Sequence, residues 1–421
     1  MIWKHWLRLV SVASLAVAAA SAQAYGRGAQ CDDPEVIVEW NEILEGVLPA
    51  SGLSPPRHYA MLHIAMFGAI NSIEGSYRPF QLKVHAPRGP CAAVPAAQAA
   101  GDILPAQFPD AQATFDTALR ARIATVGPGQ AALGVKVGRA VAAAVIKWRQ
   151  DDGWTVAPPP YVLPPFPGAY QSAAPAGFRQ FQFMKPFALI TNTQYLPPPP
   201  PALTSEQYAQ AFDEVKQLGL ETSAVRTPEQ TQLALLFSSV ASRTVHWALW
   251  NHVARDTARS AGLSLIETAR AYALLNVSIH DGLQTSHTSK FIYGFWRPVT
   301  AIQRADEDMN DLTTADPSWK SLLRTPGYAS HAGNQACVGA SAARALALIH
   351  GTDQVAFTAR WLGSEGNPDV SRNYASFTQM AQDQADSRIY GGIHFRFENE
   401  ASQEACPKVA EWVFKPYMRG K

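Results

Sequence analysis

The amino-acid sequence predicts an all-α protein, a helical body with long proline-rich connections over its surface. Three observations carry that expectation. Long stretches are written in helical period, two-residue apolar alternation bounded by hairpin turns is missing, and prolines gather between the helical stretches rather than inside them. The 421 residues are 47% hydrophobic and 16% charged, enough for a large core and unlike a disordered chain.

In chain order, Pro56 can occupy the first turn of a helix whose apolar positions include Met61, Ile64, Ala65, Ala69 and Ile70. Residues 131–148 form a second helical pattern, closed by Arg149, Gln150 and two aspartates. The connection over 151–203 follows, with six prolines in 157–167 and five in a row from Pro197 to Pro201. Prolines at that density favour extended geometry and exclude a helix interior, so this segment should wrap over the helical body. Thr204-Ser205-Glu206-Gln207 is a capping-box signature for the next helix, and Gly219 is a suitable stop. Further helices are predicted over 228–253, 263–286, 335–350 and 404–417. The organisation expected is a leader at 1–24, an amino-terminal helical half at 25–202 and a carboxy-terminal bundle at 203–421, with a soft boundary in one continuous body.

The leader is read as a secretory signal peptide: Lys4 and Arg8 precede an apolar run over 9–20, and Ala22-Gln23-Ala24 is a small-x-small cleavage site. The mature protein is therefore expected to be soluble and exported, periplasmic or secreted. No later stretch reaches the about 18 uninterrupted apolar residues of a membrane span. Lys plus Arg total 35 against 34 Asp plus Glu, and this balance argues against a nucleic-acid or polybasic membrane partner. Cys31, Cys91, Cys337 and Cys406 contain no CxxC pair, and in an oxidising compartment two disulfides are expected. Cys31–Cys91 and Cys337–Cys406 are the preferred pairs, since each lies within one half of the chain.

Candidate chemistry gathers in the second half. Lys290 and Arg297, seven apart, would share one helix face and close on one anion, and Phe291, Tyr293, Phe295 and Trp296 around them make a solvated face unnatural. In the segment 386–398, Asp386 or Ser387 can cap a helix start, and Gly391-Gly392 removes side chains where something approaches the backbone. Glu398, four residues after His394, can accept from one ring nitrogen and raise the basicity of the other. His63, His246, His252 and His280 lie in apolar helical patterns and read as core histidines. No HExxH, Walker loop, GxSxG elbow or dinucleotide fingerprint is present.

Lys290-x6-Arg297-Pro298 followed by Arg388-x5-His394 resembles the signature of the vanadium-dependent haloperoxidases and the related type 2 phosphatidic acid phosphatases. The wording Phe295-Trp296-Arg297-Pro298-Val299-Thr300-Ala301-Ile302, with Val38-Glu39-Trp40-Asn41 and 197–203, is similar to the bacterial haloperoxidase-like branch over nearly the whole mature chain. The resemblance implies vanadate bonded to His394, its oxygens neutralised by Lys290, Arg297 and Arg388. It also implies small-molecule substrates: hydrogen peroxide, a halide and an organic acceptor. The same residues could serve an acid phosphatase with His394 as nucleophile.

The family's middle motif, Pro-Ser-Gly-His, is altered here. One alignment equates Ser330-His331 with its Ser and His and needs compensating gaps. A gapless alignment, anchored by Thr325-Pro326 and Gly339-Ala340, places Ala332-Gly333-Asn334-Gln335 on the motif and is preferred. Ser330, Gly333 and Asn334 are then candidate oxyanion contacts, and His331 and Gln335 the candidates for the acid/base position. An amide cannot exchange a proton near neutral pH, so a non-catalytic oxyanion-binding relative is a third expectation.

Overall fold

The structure is a computed structural model and describes residues 31–48, 56–86, 91–171, 176–364, 366–415 and 419–420. The leader expected at 1–24 lies outside the described residues. The amino-terminal half contains α1 (Glu35–Val47), α2 (Arg57–Glu74), α3 (Ala93–Gln107), α4 (Gln112–Ile123) and α5 (Pro128–Arg149). The second half contains α6 (Glu206–Leu218), α7 (Pro228–Phe237), α8 (His246–Ala261), α9 (Leu265–Tyr293), α10 (Pro298–Gln303), α11 (Asn334–His350), α12 (Phe377–Tyr390) and α13 (Arg396–Phe414). The all-α class holds among the described residues, with one addition that the sequence reading missed. An antiparallel hairpin pairs β1 (Phe357–Trp361) with β2 (Val370–Tyr374), Phe357 opposite Tyr374.

Helix α9 is the axis on which both halves pack: it touches α2 from the first half and α8, α11 and α13 from the second. It is buried along most of its length, and several of its polar side chains are short and bond back to their own helix. Ser278 donates to Leu274 O, Thr285 to Asp281 O and Thr288 to Gln284 O. One hydrophobic core runs from Val36 in α1 to Val413 in α13. Helix α5 is long and apolar enough to cross a membrane on length and composition. It packs on α3, and a Cβ on Gly138 would stand 2.6 Å from the backbone oxygen of Pro95, so the two helices meet at van der Waals distance.

Both expected disulfides form, Cys31–Cys91 ahead of α1 and α3, and Cys337–Cys406 between α11 and α13. The proline-rich connection is non-helical apart from one short turn, and it wraps the carboxy-terminal body as predicted. Asp281 on α9 accepts the backbone N–H groups of Phe187, Ala188 and Leu189. One turn later Gln284 donates to Phe181 O and Met184 O. Further along, Trp296 N donates to Gly168 O, and Tyr293 Oη donates to Pro197 O.

Several sequence expectations need correction. The helix expected over 228–253 is two, because Ser239 adopts a left-handed φ of 59° and the Ser242 and Thr244 hydroxyl and amide groups bond each other instead of a helix ladder. Helix α9 continues past 286 to Tyr293, and α13 begins at Arg396 rather than 404. Asp386 and Ser387 lie in the last turns of α12, not at a helix start, and Asp386 pairs with Arg396. Ser205 caps α6 through Tyr208 N, and Gly219 ends it in ordinary right-handed geometry.

Just after α5, Asp152 sits between Arg57 and Arg149, at 2.7 and 3.0 Å, all three buried. Burial alone would raise the Asp152 carboxyl, but Arg57 and Arg149 hold it below its ordinary value. A depressed native pKa stabilises the fold above the ordinary carboxylate range, and that contribution disappears as pH falls through the native value. Asp152→Asn leaves two guanidinium groups buried without a counter-charge. We expect it to cost about 3–5 kcal/mol, read as a lower urea midpoint at pH 7, with wild type and variant converging in acid.

Candidate functional site

Residues on or beside α7, α8, α9, α11, α12 and α13 line one cavity of about 210 Å³. Its polar wall is built from His287 of α9, Tyr328, Asn334 and Gln335 of the α11 entry, Arg388 of α12, and His394 ahead of α13. Its apolar wall is Phe178 and Phe181 of the proline-rich connection, Phe237 of α7, Val245 and Trp247 around the start of α8, and Leu283 of α9.

Local sequence explains the convergence. Lys290 occupies the last turn of α9, and Gly294 ends that helix with a left-handed φ of 59°. Pro298 then forces Arg297 into an extended conformation, at the N-cap of α10. Lys290 and Arg297 therefore do not share a helix face, and they meet because the chain reverses between them. After Arg388, Gly391 and Gly392 turn the chain back toward α13, Gly392 with a φ of 74°. What approaches these glycines is protein: a Cβ on Gly392 would lie 2.4 Å from Gly219 O, and one on Gly391 2.4 Å from the Leu323 side chain.

His394 is held from behind. Its Nδ1 lies 2.6 Å from Glu398 Oε2, which also accepts from Ser330 Oγ at 2.9 Å and Phe395 N at 3.0 Å. On the other side Arg297 Nη1 approaches Nε2 at 3.3 Å. A donor facing Nε2 and a carboxylate facing Nδ1 assign the proton to Nδ1, leaving the Nε2 lone pair on the cavity side. Burial, then Arg297, Lys290 and Arg388, push the His394 pKa well below its ordinary value, so the ring is neutral. Burial pushes the Glu398 carboxyl up to about 7, against the pull of Lys290 and Arg297.

Lys290, Arg297 and Arg388 are 0%, 1% and 8% exposed, burial lowers the pKa of all three, and Glu398 is the carboxyl group that acts on Lys290 and Arg297. Lys290 Nζ donates to Ser330 O at 2.5 Å and to Ala332 O, while Arg297 donates to Tyr328 O and Ile393 O, both at 2.8 Å. Arg297 Nη2 and Arg388 Nε and Nη1 are buried with no hydrogen-bond partner among the described residues. Buried guanidinium donors without acceptors are costly unless an anion completes them. Three cations, three orphaned donors and a ring nitrogen lone pair fit a tetrahedral oxyanion. Among the described residues no cluster of three or more His, Cys, Asp or Glu could hold a metal cation.

In the middle segment, Gln335 lines the cavity in the first turn of α11, its Nε2 on Phe237 O at 3.0 Å and its Oε1 unpartnered. His331 is not in the lining: its Nε2 donates to Pro198 O at 2.7 Å, and burial lowers its pKa to about 4. Ser330 turns its hydroxyl to Glu398 rather than to the cavity. Gly333 donates its N–H to Glu398 O, and a Cβ there would meet Asn399 Oδ1 at 2.6 Å, so no serine fits at this position without movement. Asn334 faces the cavity and reaches His287 Nε2 at 3.1 Å.

Three lining residues were missed by the sequence reading. His287 precedes Lys290 by three residues, a spacing that puts both on one helix face and could have revealed it. Tyr328 packs its ring 5.0 Å from the Arg297 guanidinium carbon and 5.5 Å from Lys290 Nζ. His246, read as a core residue, lines the cavity because the α7–α8 break exposes it. The other three are structural, His63 on Asn41, His252 on Glu45 and His280 on Asp281.

Residues 270–420 match the family model described as the VCPO second helical-bundle domain. Among solved structures, a bacterial vanadium-dependent iodoperoxidase is similar at 21% identity and a TM-score of 0.78, over 92% of this chain and 98% of that chain. The holo form of a bacterial vanadium-dependent chloroperoxidase is similar at 13% identity and TM-score 0.70, over 87% and 93% of the two chains. An apo form of such a chloroperoxidase gives 15%, 0.67, 85% and 92%. No curated protein matches. The fold is that of these bacterial haloperoxidases, and the comparisons support the family recognised from the sequence.

An anion that completes the orphaned donors stabilises the native state by mass action. Orthovanadate at about 100 times its dissociation constant should add about 2.7 kcal/mol, read as a rise in melting temperature. Arg388→Met should fold and lose most of that rise. An equal rise in wild type and variant would place the anion elsewhere.

Proposed function

We propose, from a chain that has the fold of the vanadium haloperoxidases, that this is a vanadate-dependent haloperoxidase-like enzyme. In this reading it is an exported protein that oxidises halide with hydrogen peroxide at an oxyanion held by His394. The observation that supports it most is the His394 ring, which lines the cavity together with Arg388, its Nδ1 fixed by Glu398 and its Nε2 3.3 Å from Arg297 Nη1. When bound there, vanadate supplies the Lewis-acidic centre at which peroxide becomes an oxidant for halide.

The chain's own residues have distinct tasks. His394 would present Nε2, now approached by Arg297 Nη1, as the ligand, and Glu398 holds the tautomer that keeps its lone pair. Lys290, Arg297 and Arg388 neutralise the anion's oxygens, and the donors of Arg297 and Arg388 that lack partners complete its hydrogen bonds. Ser330 steadies Glu398. Gln335 can hold a peroxide or a water through its free carbonyl oxygen, but it cannot move a proton. The apolar wall restricts water in the cavity.

Two assays test this reading on purified protein. Reconstitution with orthovanadate should give peroxide-dependent oxidation of iodide or bromide, and a vanadate-free assay with a phosphomonoester should stay near background. The opposite pattern would make it an acid phosphatase. Silence in both with the anion bound would favour the non-catalytic reading, for which Gln335 is the specific support. Replacing Glu398 by Gln should weaken vanadate binding about 10–100-fold, measured by titration, and unchanged affinity would remove Glu398 from its orienting role.

A further inference from the structure

We propose that His287 is the proton-exchanging residue of this cavity, acting from α9 in place of a histidine at position 335. The inference rests on the haloperoxidase-like reading and adds a residue to it. Position 335 carries an amide, and His331 spends its Nε2 on Pro198 O outside the lining. His287 lines the cavity together with Arg388 and His394, and it projects from the same face of α9 as Lys290.

The ring is held on three sides. It stacks on Phe181 at 4.9 Å with an interplanar angle of 17°, and Tyr328 packs edge-on at 5.3 Å. Its Nε2 meets the Asn334 side-chain amide at 3.1 Å, while Nδ1 is buried and has no partner among the described residues. His287 itself is 3% exposed, so an unpartnered ring nitrogen there calls for a ligand atom.

The Asn334 amide makes proton exchange possible at that nitrogen. Ser286 Oγ lies 3.0 Å from Leu283 O and 2.9 Å from Asn334 Oδ1. In one amide orientation Asn334 Nδ2 donates to Nε2, and the ring proton sits on Nδ1. In the flipped orientation Nε2–H donates to Asn334 Oδ1, Nδ2 donates to Ser286 Oγ, and the serine proton goes to Leu283 O. Nε2, the Asn334 amide and the Ser286 hydroxyl keep partners in both orientations, and only Nδ1, on the cavity side, is left for a ligand atom. In the flipped one, the Nδ1 lone pair accepts a proton from hydrogen peroxide or water in the cavity. The resulting imidazolium returns that proton to an oxygen that departs as water, so protons balance and no redox partner beyond peroxide is needed.

The charged and titratable groups around His287 are Lys290 on its own helix, Arg297, Tyr328, Arg388, His394 with Glu398 behind it, and His246 across the cavity. Burial, then Lys290 and Arg297, press the His287 pKa well below its ordinary value. An oxyanion that neutralises those cations moves it back toward neutrality, where proton exchange is efficient.

The test combines side-chain NMR of 15N-histidine-labelled protein with kinetics. Saturating orthovanadate should shift the His287 ring resonances, assigned by their loss in His287→Gln, and raise their titration midpoint. His287→Gln should keep vanadate affinity within about tenfold, lower kcat by about 10²–10⁴-fold, and remove one limb of the pH–rate profile. Asn334→Ala, which retains the ring but frees Nε2, should displace that limb rather than abolish it. If vanadate raises the melting temperature while His287 resonances stay fixed and the His287→Gln profile is unchanged, the proposal is overturned and the haloperoxidase-like reading stands. Loss of the limb in His246→Gln instead would overturn it in favour of α8. If vanadate produces no thermal shift, the haloperoxidase-like reading fails and the role of His287 falls with it.

Discussion

The burial of three cations beside one imidazole is the constraint on which the second half of the chain depends. Lys290, Arg297 and Arg388 do not stand in a preformed pocket, since they help to make it. Lys290 ties down the backbone at 330 and 332, and Arg297 ties down Tyr328 and Ile393. The segment leading into α11 and the segment leading into α13 are therefore both fixed by the charges they surround. Replacing any of these carbonyl partners by solvent would release a loop as well as a side chain. Arg297 Nη2 and Arg388 Nε and Nη1 are the donors that the described residues leave unsatisfied. Within the Arg297 guanidinium, satisfied and unsatisfied donors thus stand side by side.

The same division runs along α9. Asp281 and Gln284 hold the proline-rich connection by its backbone, and His287, one turn further, meets the side chain of Phe181 in that connection. Lys290 follows on the cation side. One helical row passes from anchoring a surface segment to lining a cavity, so the wrap supplies the cavity's aromatic wall. This gives the 151–203 connection a reason for its length. Extended, proline-rich backbone can follow a helix closely, and its few donors are met by α9 side chains.

Much of the architecture was legible because burial repeats in period. The α2, α5 and α11 stretches, the disulfide pairs and the extended connection follow from apolar spacing, chain half and proline density. The His394–Glu398 pair was legible as well, since four residues at a helix entry allow one geometry. What sequence spacing could not supply was chain reversal. Lys290 and Arg297 look like one helix face until Gly294 and Pro298 are weighed as a stop and a restart. The 228–253 stretch looks like one helix until the serines at 238, 239 and 242 are weighed as competitors for the backbone. That break brings Phe237, Val245 and His246 to the cavity. The β1–β2 hairpin escaped notice because its alternation is confined to two strands of five residues.

The altered middle motif is best understood through what fills the space. Gly333 leaves no room for a side chain, because Asn399 Oδ1 occupies the position a Cβ would need. Its N–H is taken by Glu398 O, and the neighbouring serine, Ser330, supports the Glu398 carboxylate instead. Hydroxyl and amide donors that could have reached an anion from this segment are thus redirected to the residue behind His394. An anion held here would therefore rely more on Arg297 and Arg388, whose orphaned donors outnumber those of the middle segment. The amide at 335 has a different consequence, since neither it nor an arginine can exchange protons near neutrality. Holding an anion and moving a proton are separable demands, and with an amide at 335 a site that did both would have to meet the second from another wall of the cavity.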